Sequence, residues 1–203
     1  ESVKNYFSCV TGIDDQFGRI LSTLKETGLD ENTIVIFTSD HGELMGSHSL
    51  MYKGEWYREC FEVPFFIRWP GHIPANSSCP AFLNPPDIMP TLLELCGLSS
   101  LIPSSIEGVS QAQWIMDDTK KASNEIGQGF YNNPQLNARG ICDATHMLVV
   151  FRDRYDRETN LLYDRIRDPF QLHDCSDSHP EIVKEMRARL DKWLKRTNDL
   201  WIR

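Results

Sequence analysis

The sequence lacks several features that would place it in a particular class. No apolar run approaches the roughly 18 residues that cross a bilayer, so we expect no membrane span. Basic residues number 21 against 29 acidic ones, giving a formal net charge of -8. This balance argues against nucleic acid as a partner, because phosphate backbones are bound by clustered Lys and Arg. The opening residues ESVKNYFSCV contain neither an initiator Met nor the apolar core of a signal peptide, so we expect a mature product or a fragment.

The cysteines form no recognisable redox or zinc motif. There are six of them, and no two are spaced as C-x-x-C. We interpret most of them as small buried hydrophobic residues. A disulfide such as Cys79–Cys142 is left open. Asn76 begins the glycosylation sequon Asn-Ser-Ser, which has meaning only in a secreted eukaryotic protein.

The first half of the chain has the pattern of a layered α/β fold. Residues 6–27 predict a helix with one buried apolar stripe, followed by Gly28 as its C-cap; the stripe comprises Val10, Ile13, Phe17, Ile20, Leu21 and Leu24. The run TIVIFTS at 33–39 does not alternate, which favours a strand covered on both faces, as in a parallel sheet. A second apolar strand, VPFFIRWPG, follows at 63–71. We therefore predict part of a mostly parallel sheet sandwiched by helices.

The second half predicts a smaller α+β unit with an antiparallel sheet. Before this unit, and still within the first half, a helix at 87–98 is expected to have Asp87 as N-cap and Gly97 at its end. The composition changes over 99–125, so we place a linker there and divide the chain into domains at 1–110 and 111–203. Beyond it, the stretches IGQGFY, ARGICDATHMLVVFR and TNLLYDR predict antiparallel strands. A final helix follows, with Ser178 and Glu181 predicted as its capping box.

The first buried strand ends in the residues Asp40, His41 and Gly42. Ligands in open α/β sheets bind beyond the carboxyl ends of strands, and carboxylate oxygen and imidazole nitrogen both bind divalent cations. Neighbours on an extended strand point to opposite faces, so joint binding requires the backbone to turn, which we expect Gly42 to permit. A purely structural turn is the alternative interpretation of these residues.

The loop after this strand contains two further candidates. Lys53 lies twelve residues beyond His41, among aromatic residues that indicate a folded, partly buried loop. An ammonium beside a metal would bind an anionic group that gains negative charge during transfer. His48 could donate a hydrogen bond or a proton there, or it could simply face water. Four aromatic residues could line a sugar-binding cleft, although packing is the favoured role for them: Trp56, Tyr57, Trp114 and Tyr131.

Taken in order, these segments resemble the type I sulfatases of the alkaline phosphatase superfamily. The resemblance is carried by NTIVIFTSDHGELMGSHSLMYKGEWYRECFEVPFFIRWPG, with GIDDQFGRILSTLKETGLDEN before it and PPDIMPTLLELCGL after it. The later NLLYDRIRDPFQLHDCSD and HPEIVKEMRARLDKWL are similar to the last segment and final helix of that family. The resemblance implies hydrolysis of sulfate esters by a formylglycine nucleophile, with a divalent cation, most often Ca2+, at the sulfate oxygens.

The family's site residues can be carried over position by position. Asp40 matches the family's metal-binding Asp, His41 matches the neighbouring His or Asn, and Lys53 matches the lysine that contacts the sulfate. His48 matches a less uniform position. Ca2+ ordinarily prefers oxygen ligands, so these side chains taken alone leave Mn2+ or Zn2+ open.

One departure from the family pattern is large. None of the six cysteines begins a C-x-P-x-R or C-x-A-x-R motif, and the adjacent Asp14 and Asp15 lie within the first predicted helix, where we expect them to face solvent. We therefore expect this chain to be the C-terminal portion of a sulfatase, with the formylglycine and the other metal-binding aspartates upstream. Its partner would be the N-terminal half of the same protein. Alone, the chain is expected to be unstable and without turnover.

The leading functional hypothesis is thus part of a sulfuric ester hydrolase acting on a sulfated small molecule or glycan. One alternative is a phosphonate or phosphate ester hydrolase of the same superfamily. Another is a non-catalytic fragment that binds sulfated glycans. The resemblance favours a periplasmic, extracellular or lysosomal location.

Overall fold

A computed structural model describes residues 2–79, 81–117 and 128–202. The described residues up to 117 are called the first segment below and contain α1 (Ser2–Glu26), β1 (Val35–Thr38), α2 (Arg58–Phe61), β2 (Phe65–Arg68), α3 (Pro85–Leu95) and α4 (Ala112–Met116). The second contains β3 (Gly129–Asn133), β4 (Ala138–Cys142), β5 (His146–Arg152), β6 (Glu158–Asp164) and α5 (Pro180–Arg196). Residues 118–125 of the predicted linker and the first two residues of IGQGFY lie outside the described part. No helix within that part is long and apolar enough to cross a bilayer.

The α/β class is confirmed, but the two strands of the first segment pair with each other in antiparallel fashion. Val35 lies opposite Arg68, and Thr38 lies opposite Phe65. The sheet that we predicted to be mostly parallel thus contains an antiparallel pair at β1 and β2. The physical reason is that a run without alternation indicates cover on both faces of a strand, whereas the direction of the neighbouring strand depends on how the connecting loop returns.

The C-terminal sheet is antiparallel throughout, as predicted, with the strand order β3-β4-β5-β6. The stretch ARGICDATHMLVVFR forms two strands, because the Asp143 carboxylate accepts the N–H groups of Thr145 (2.9 Å) and His146 (3.0 Å) and closes a turn. One face of the sheet packs against α5. That core consists of Ile141, Leu148, Val150, Leu162, Met186, Leu190, Leu194 and Trp201.

The opposite face of this sheet packs against the first segment. Its buried residues are Tyr131, Ala138, Cys142, Met147, Val149 and Tyr163, and they contact Trp56, Tyr57, Phe61 and Phe82. The two segments therefore share an apolar interface, and strand β3 lies next to the loop that follows β1. The domain division at 1–110 and 111–203 stays a prediction.

Helix α1 is less buried than its sequence pattern indicates. Phe17 is partly buried and its ring packs on Phe37 with centroids 5.1 Å apart. Val10, Ile13 and Ile20, from the same predicted stripe, are 45%, 55% and 55% exposed. Periodicity predicts which side chains share one face of a helix. Whether that face is buried depends on a second surface that packs against it. Asp14 and Asp15 are exposed, as predicted.

Two predicted helix caps are wrong by one or more residues. Helix α3 has Asn84, not Asp87, as N-cap, and the two form a capping box in which the Asp87 carboxylate accepts the Asn84 N–H at 2.9 Å. Helix α5 begins after His179, with no side-chain cap from Ser178. In both cases a proline at the first helical position, Pro85 or Pro180, places the start. Gly97 has φ 72°, as expected for a residue that ends α3.

All six cysteines are free thiols, so the structure contains no Cys79–Cys142 bridge. Cys60 and Cys142 are buried, as we interpreted most of them to be. The interpretation is wrong for Cys9, Cys79 and Cys96, which are exposed.

Candidate functional site

The polar residues after β1 lie in a tight turn that directs two side chains to the same side. Strand β1 ends at Thr38. The Asp40 carboxylate accepts the N–H of His41 at 3.0 Å, and the Ser39 hydroxyl donates to the His41 carbonyl at 2.9 Å. As a result, Nε2 of His41 lies 3.3 Å from Oδ2 of Asp40. The backbone turn that joint cation binding requires is therefore present.

Gly42 is needed at this turn for a reason other than the one predicted. Its φ is not among the positive values of the chain, so conformational freedom is not what the position requires. Its N–H donates to the Cys60 carbonyl at 2.7 Å. A Cβ atom at Gly42 would lie 1.8 Å from the backbone oxygen of Glu59, so only glycine allows the two backbone segments to approach this closely.

The hydrogen bonds of His41 define its tautomer. Nδ1 lies 2.8 Å from the Gly42 carbonyl oxygen, which can only accept, so Nδ1 carries the proton. Nε2 lies against Lys53, whose ammonium donates to it. Nε2 of His41 is therefore flanked by the Asp40 carboxylate on one side and by the positively charged Lys53 on another.

The loop of residues 44–54 brings Lys53 to the strand end. Leu44 is buried, at 2% exposure, and its N–H donates to the Tyr52 carbonyl at 2.9 Å. The N–H of Gly46 donates to the Leu50 carbonyl at 2.9 Å. Within these eleven positions, left-handed φ values occur at Met45, Gly46, His48, Ser49, Tyr52 and Gly54. Such repeated turning folds the loop back on itself and explains how a residue distant in sequence reaches His41.

Asp40 remains an anion in this setting. Desolvation acts to raise the pKa of its carboxyl, but hydrogen bonds from the Asp40 and His41 backbone and the charge of Lys53 outweigh it, so the pKa lies below its ordinary value. The carboxyl side chain is 84% exposed. The Asp40 carboxylate is therefore accessible to a cation from solvent, whether the cation arrives alone or with an anionic ligand.

His48 takes up a different environment from the other three predicted site residues. Its ring stacks on Tyr57 with centroids 3.4 Å apart, and its Nε2 lies 3.8 Å from a Glu59 carboxylate oxygen. Its side chain is 8% exposed, so it does not simply face water. These contacts anchor the loop, and none of them joins His48 to the group formed by Asp40, His41 and Lys53.

The aromatic residues considered for a sugar-binding cleft pack within the protein. Trp56 stacks on Phe151 with centroids 6.0 Å apart, and Tyr131 is 8% exposed and contacts Phe61. Trp114 lines a cavity of about 550 Å³ between α3, β3 and α5, and the four candidate site residues do not line that cavity. The contacts of Trp56 and Tyr131 therefore agree with packing, which is the role favoured from the sequence.

Sequence reasoning missed the contribution of β3 to this site. The hydroxyl of Tyr131 and the side-chain amide of Asn133 both donate to the carbonyl of Gly54, the residue after Lys53. No local pattern signals this contact, because it joins positions 77 and 79 residues apart.

Two side chains at the end of β1, those of Asp40 and His41, are of types that bind divalent cations. Asp40 and His41 provide one carboxylate and one imidazole, and no cluster of three or more His, Cys, Asp or Glu side chains suited to a metal occurs within residues 2–79, 81–117 and 128–202. A carboxylate oxygen and an imidazole nitrogen 3.3 Å apart fit part of a cation's ligand shell, and further ligands would have to be added to complete it.

Comparison with known proteins identifies the family. A family model described as Sulfatase matches residues 1–98. An endo-4-O-sulfatase from Bacteroides thetaiotaomicron is 37% identical over 99% of this chain and 43% of its own length. The chain belongs to the sulfatase family. It corresponds to the C-terminal portion of type I sulfatases, and it spans less than half the length of that curated relative.

Solved structures agree with this assignment. A protein determined in complex with its substrate D-glucosamine-2-N,6-O-disulfate aligns over 94% of this sulfatase-family chain and 40% of that protein, with a TM-score of 0.85 and 27% identity. A phosphonate monoester hydrolase of Agrobacterium radiobacter aligns over 92% of this chain and 40% of its own, with a TM-score of 0.76 and 25% identity. The sulfatase relatives confirm the family predicted from the sequence.

Proposed function

We propose that this chain carries part of the active site of a sulfate-ester hydrolase, with Asp40, His41 and Lys53 at its centre. The observation that supports the proposal most is the convergence of these three side chains at the end of β1, although Lys53 is twelve residues from His41. A carboxylate, an imidazole lone pair and an ammonium directed at one point suit the binding of a cation together with a tetrahedral oxyanion.

Asp40 and His41 would hold a divalent cation, for which Ca2+ is the leading candidate. The cation would act as a Lewis acid at the sulfate oxygens. His41 is prepared for this role, because its Nδ1–H bond to the Gly42 carbonyl orients the ring with Nε2 toward Asp40 and Lys53. We propose that the formylglycine nucleophile and the remaining ligands belong to an N-terminal portion of the protein, which is therefore this chain's partner.

Lys53 would bind a sulfate oxygen and offset the negative charge that develops as the ester bond breaks. Its ammonium already contacts Nε2 of His41, which itself lies 3.3 Å from the Asp40 carboxylate. His48 stays a hypothesis as a proton donor to the leaving alcohol. Its stacking on Tyr57 favours a role in holding the loop instead.

The test uses the whole protein, including its N-terminal portion, with 4-nitrophenyl sulfate as substrate. Lys53→Ala should lower kcat/KM by about 10²- to 10³-fold, the cost of removing one group that stabilises developing charge. Lys25→Ala, on the exposed end of α1, is the matched control and should leave kcat/KM unchanged. Equal activity in the two variants would remove Lys53 from the mechanism.

A second candidate is hydrolysis of phosphonate or phosphate esters, which the structural likeness to a phosphonate monoester hydrolase favours. Sulfate and phosphonate monoesters present similar tetrahedral oxyanions to the same cationic groups. Comparison of kcat/KM for 4-nitrophenyl sulfate with that for a 4-nitrophenyl phosphonate separates the two candidates. A protein that hydrolyses neither, yet retains a sulfated oligosaccharide, would instead be a non-catalytic glycan-binding protein.

For the physiological substrate we propose a sulfated sugar. The endo-4-O-sulfatase relative and the neighbour solved with a disulfated glucosamine support this class. Such substrates occur outside the cytoplasm, so we propose a periplasmic, extracellular or lysosomal location.

A further inference from the structure

We propose that Tyr131 and Asn133 are positioning residues for Lys53. They lie on strand β3 of the C-terminal sheet and hold the carbonyl of Gly54, and thereby the backbone from which the lysine side chain extends. This proposal rests on the proposed function, since it assumes that Lys53 acts on the ester. It extends that function by making the C-terminal sheet a part of the catalytic apparatus.

Two donors converge on one acceptor in this contact. The Tyr131 hydroxyl lies 2.7 Å from the Gly54 carbonyl oxygen, and Nδ2 of Asn133 lies 2.5 Å from it. Both lone pairs of the carbonyl are then used. Burial raises the pKa of Tyr131 to about 12, so its hydroxyl stays protonated and able to donate across the physiological range.

The orientation of the Asn133 amide follows from its other partners. Its Oδ1 accepts the N–H groups of Gln135 at 2.9 Å and Leu136 at 3.2 Å, in the turn between β3 and β4. An amide whose oxygen is engaged in this way directs its NH2 group the other way, toward Gly54. The hairpin turn therefore determines which end of Asn133 meets the loop.

Gly54, whose carbonyl accepts these two hydrogen bonds, links Lys53 to the following segment. Gly54 has φ 105°, a value that residues with a side chain rarely adopt. A lysine side chain has four rotatable bonds and loses much entropy when it is held in one place. Fixing the backbone immediately after Lys53 reduces the number of positions its ammonium samples, and so favours the one beside His41.

A second connection ties the same loop to the strand end. The carbonyl of Cys60, in the segment that follows this loop, accepts the N–H of Gly42. The segment that contains Cys60 is itself attached to the C-terminal part, since the N–H of Arg58 donates to a side-chain oxygen of Gln171 at 2.7 Å. The strand end at Gly42 and the loop that carries Lys53 are therefore both attached to the C-terminal part of the chain. The contact nearest to Lys53 comes from β3.

The variants must remove the hydrogen bonds without disturbing the packing. Tyr131→Phe keeps the ring that contacts Phe61 and removes only the hydroxyl. Asn133→Ala removes the second donor, together with the amide oxygen that accepts the N–H groups of Gln135 and Leu136, so the comparison with and without Lys53 described next is needed to isolate the effect on the lysine. The matched control is Asn132→Ala, on the same strand but with its side chain bonded to Asp199 at 3.1 Å and away from Gly54.

In the whole protein, the Tyr131→Phe/Asn133→Ala double variant should lower kcat for 4-nitrophenyl sulfate by about 10- to 100-fold, since small displacements of a catalytic group cost that much. Asn132→Ala should leave kcat unchanged. In a Lys53→Ala background the double variant should cause no further loss, because residues that act through Lys53 have nothing left to position. A loss of the same factor with and without Lys53, or no loss in either background, would overturn the proposal.

A measurement without turnover separates this proposal from the proposed function. Trace acetylation followed by mass spectrometry reports the reactivity of Lys53 relative to Lys25, which is exposed on α1. The double variant should make Lys53 react several-fold faster, because its ammonium is released from His41, while Asn132→Ala should not. If the wild-type protein hydrolyses no ester, the proposed function fails, and unchanged acetylation of Lys53 would then refute the positioning role as well.

Discussion

Arg139 on β4 and Asp199 after α5 form a buried ion pair. The guanidinium Nη2 lies 2.9 Å from the carboxylate, and the two side chains are 7% and 8% exposed. Nε of Arg139 donates to the same carboxylate at 3.1 Å, so the pair is bidentate. This ion pair joins the segment after α5 to the four-stranded sheet, whose strand β3 contacts the candidate site.

Removing one member of this pair should destabilise the protein strongly. Asp199→Asn leaves the buried Arg139 charge without its partner, and we expect a loss of about 3–5 kcal/mol in the free energy of unfolding. Glu185→Gln, which removes an exposed partner of Arg189 at 3.7 Å, is the control and should cost about 0–1 kcal/mol. Urea denaturation of the whole protein measures both. Similar midpoints for the two variants would contradict the assignment of a structural role to the buried pair.

The same carboxylate should contribute to loss of stability in acid. Burial acts to raise the pKa of Asp199, but hydrogen bonds from Arg139 and from the Trp201 N–H outweigh it, so the folded-state pKa lies below the ordinary value. A depressed pKa means that the unfolded state binds the proton more readily. The stabilisation is therefore complete above the unfolded-state pKa of about 4 and is lost as pH falls toward the folded-state value. Thermal melting between neutral pH and pH 3 should show a smaller acid-induced decrease in Asp199→Asn than in the wild type. An identical decrease would exclude Asp199 as a contributor.

Gly42→Ala should be far more damaging than a similar change elsewhere. The new Cβ would lie 1.8 Å from the Glu59 backbone oxygen, so one of the two segments has to move and the Gly42–Cys60 hydrogen bond has to lengthen. We expect a loss of more than about 2 kcal/mol in stability, in the range of overpacked buried sites. Gly18→Ala is the control: nothing lies within 4 Å of its added Cβ, and in the middle of α1 alanine should stabilise by about 0.5–1 kcal/mol. Thermal unfolding that ranks the two in the opposite order would refute the close-approach argument.

Divalent cations should stabilise the whole protein through Asp40. If Asp40 and His41 are ligands, addition of Ca2+ to chelator-treated protein should raise the melting temperature, because a ligand that binds only the folded state stabilises it. Asp40→Asn should abolish most of this increase, since a neutral amide is a weaker ligand for a hard cation. Asp14→Asn, on the exposed surface of α1, should retain the full increase. Equal increases in the two variants would place the cation elsewhere.

This chain produced without an N-terminal portion should expose unusual amounts of apolar surface. Phe7, Ile13 and Ile20 on α1 are 64%, 55% and 55% exposed, and Phe66 on β2 is 67% exposed. We expect the chain alone to bind the dye ANS, to self-associate and to hydrolyse no aryl sulfate. The test is sizing chromatography and calorimetry with and without the N-terminal portion. A monodisperse chain that melts cooperatively by itself would contradict this expectation.

Several elements were predictable from the sequence because their signals are local. The apolar runs that became β1 and β2, the periodicity of α5 and the glycine after α3 all depend on residues close to one another in the chain. The four antiparallel strands were also predictable, apart from the turn at Asp143 that divides the second strand-like stretch into two. Cap positions were less predictable, because Asn84 and Asp87 both suit an N-cap and the preference of Pro85 for the first helical turn decides between them.

The sequence by itself determined the residue types at the candidate site, since Asp40, His41, Gly42 and Lys53 stand at spacings that resemble those of sulfatases. Only the tertiary structure decided how they meet. It orients His41 through the Gly42 carbonyl, directs His48 toward Tyr57, and supports the lysine loop from β3. The physical reason is that side-chain chemistry is encoded at each position, whereas hydrogen bonds between segments more than seventy residues apart exist only after the chain has packed.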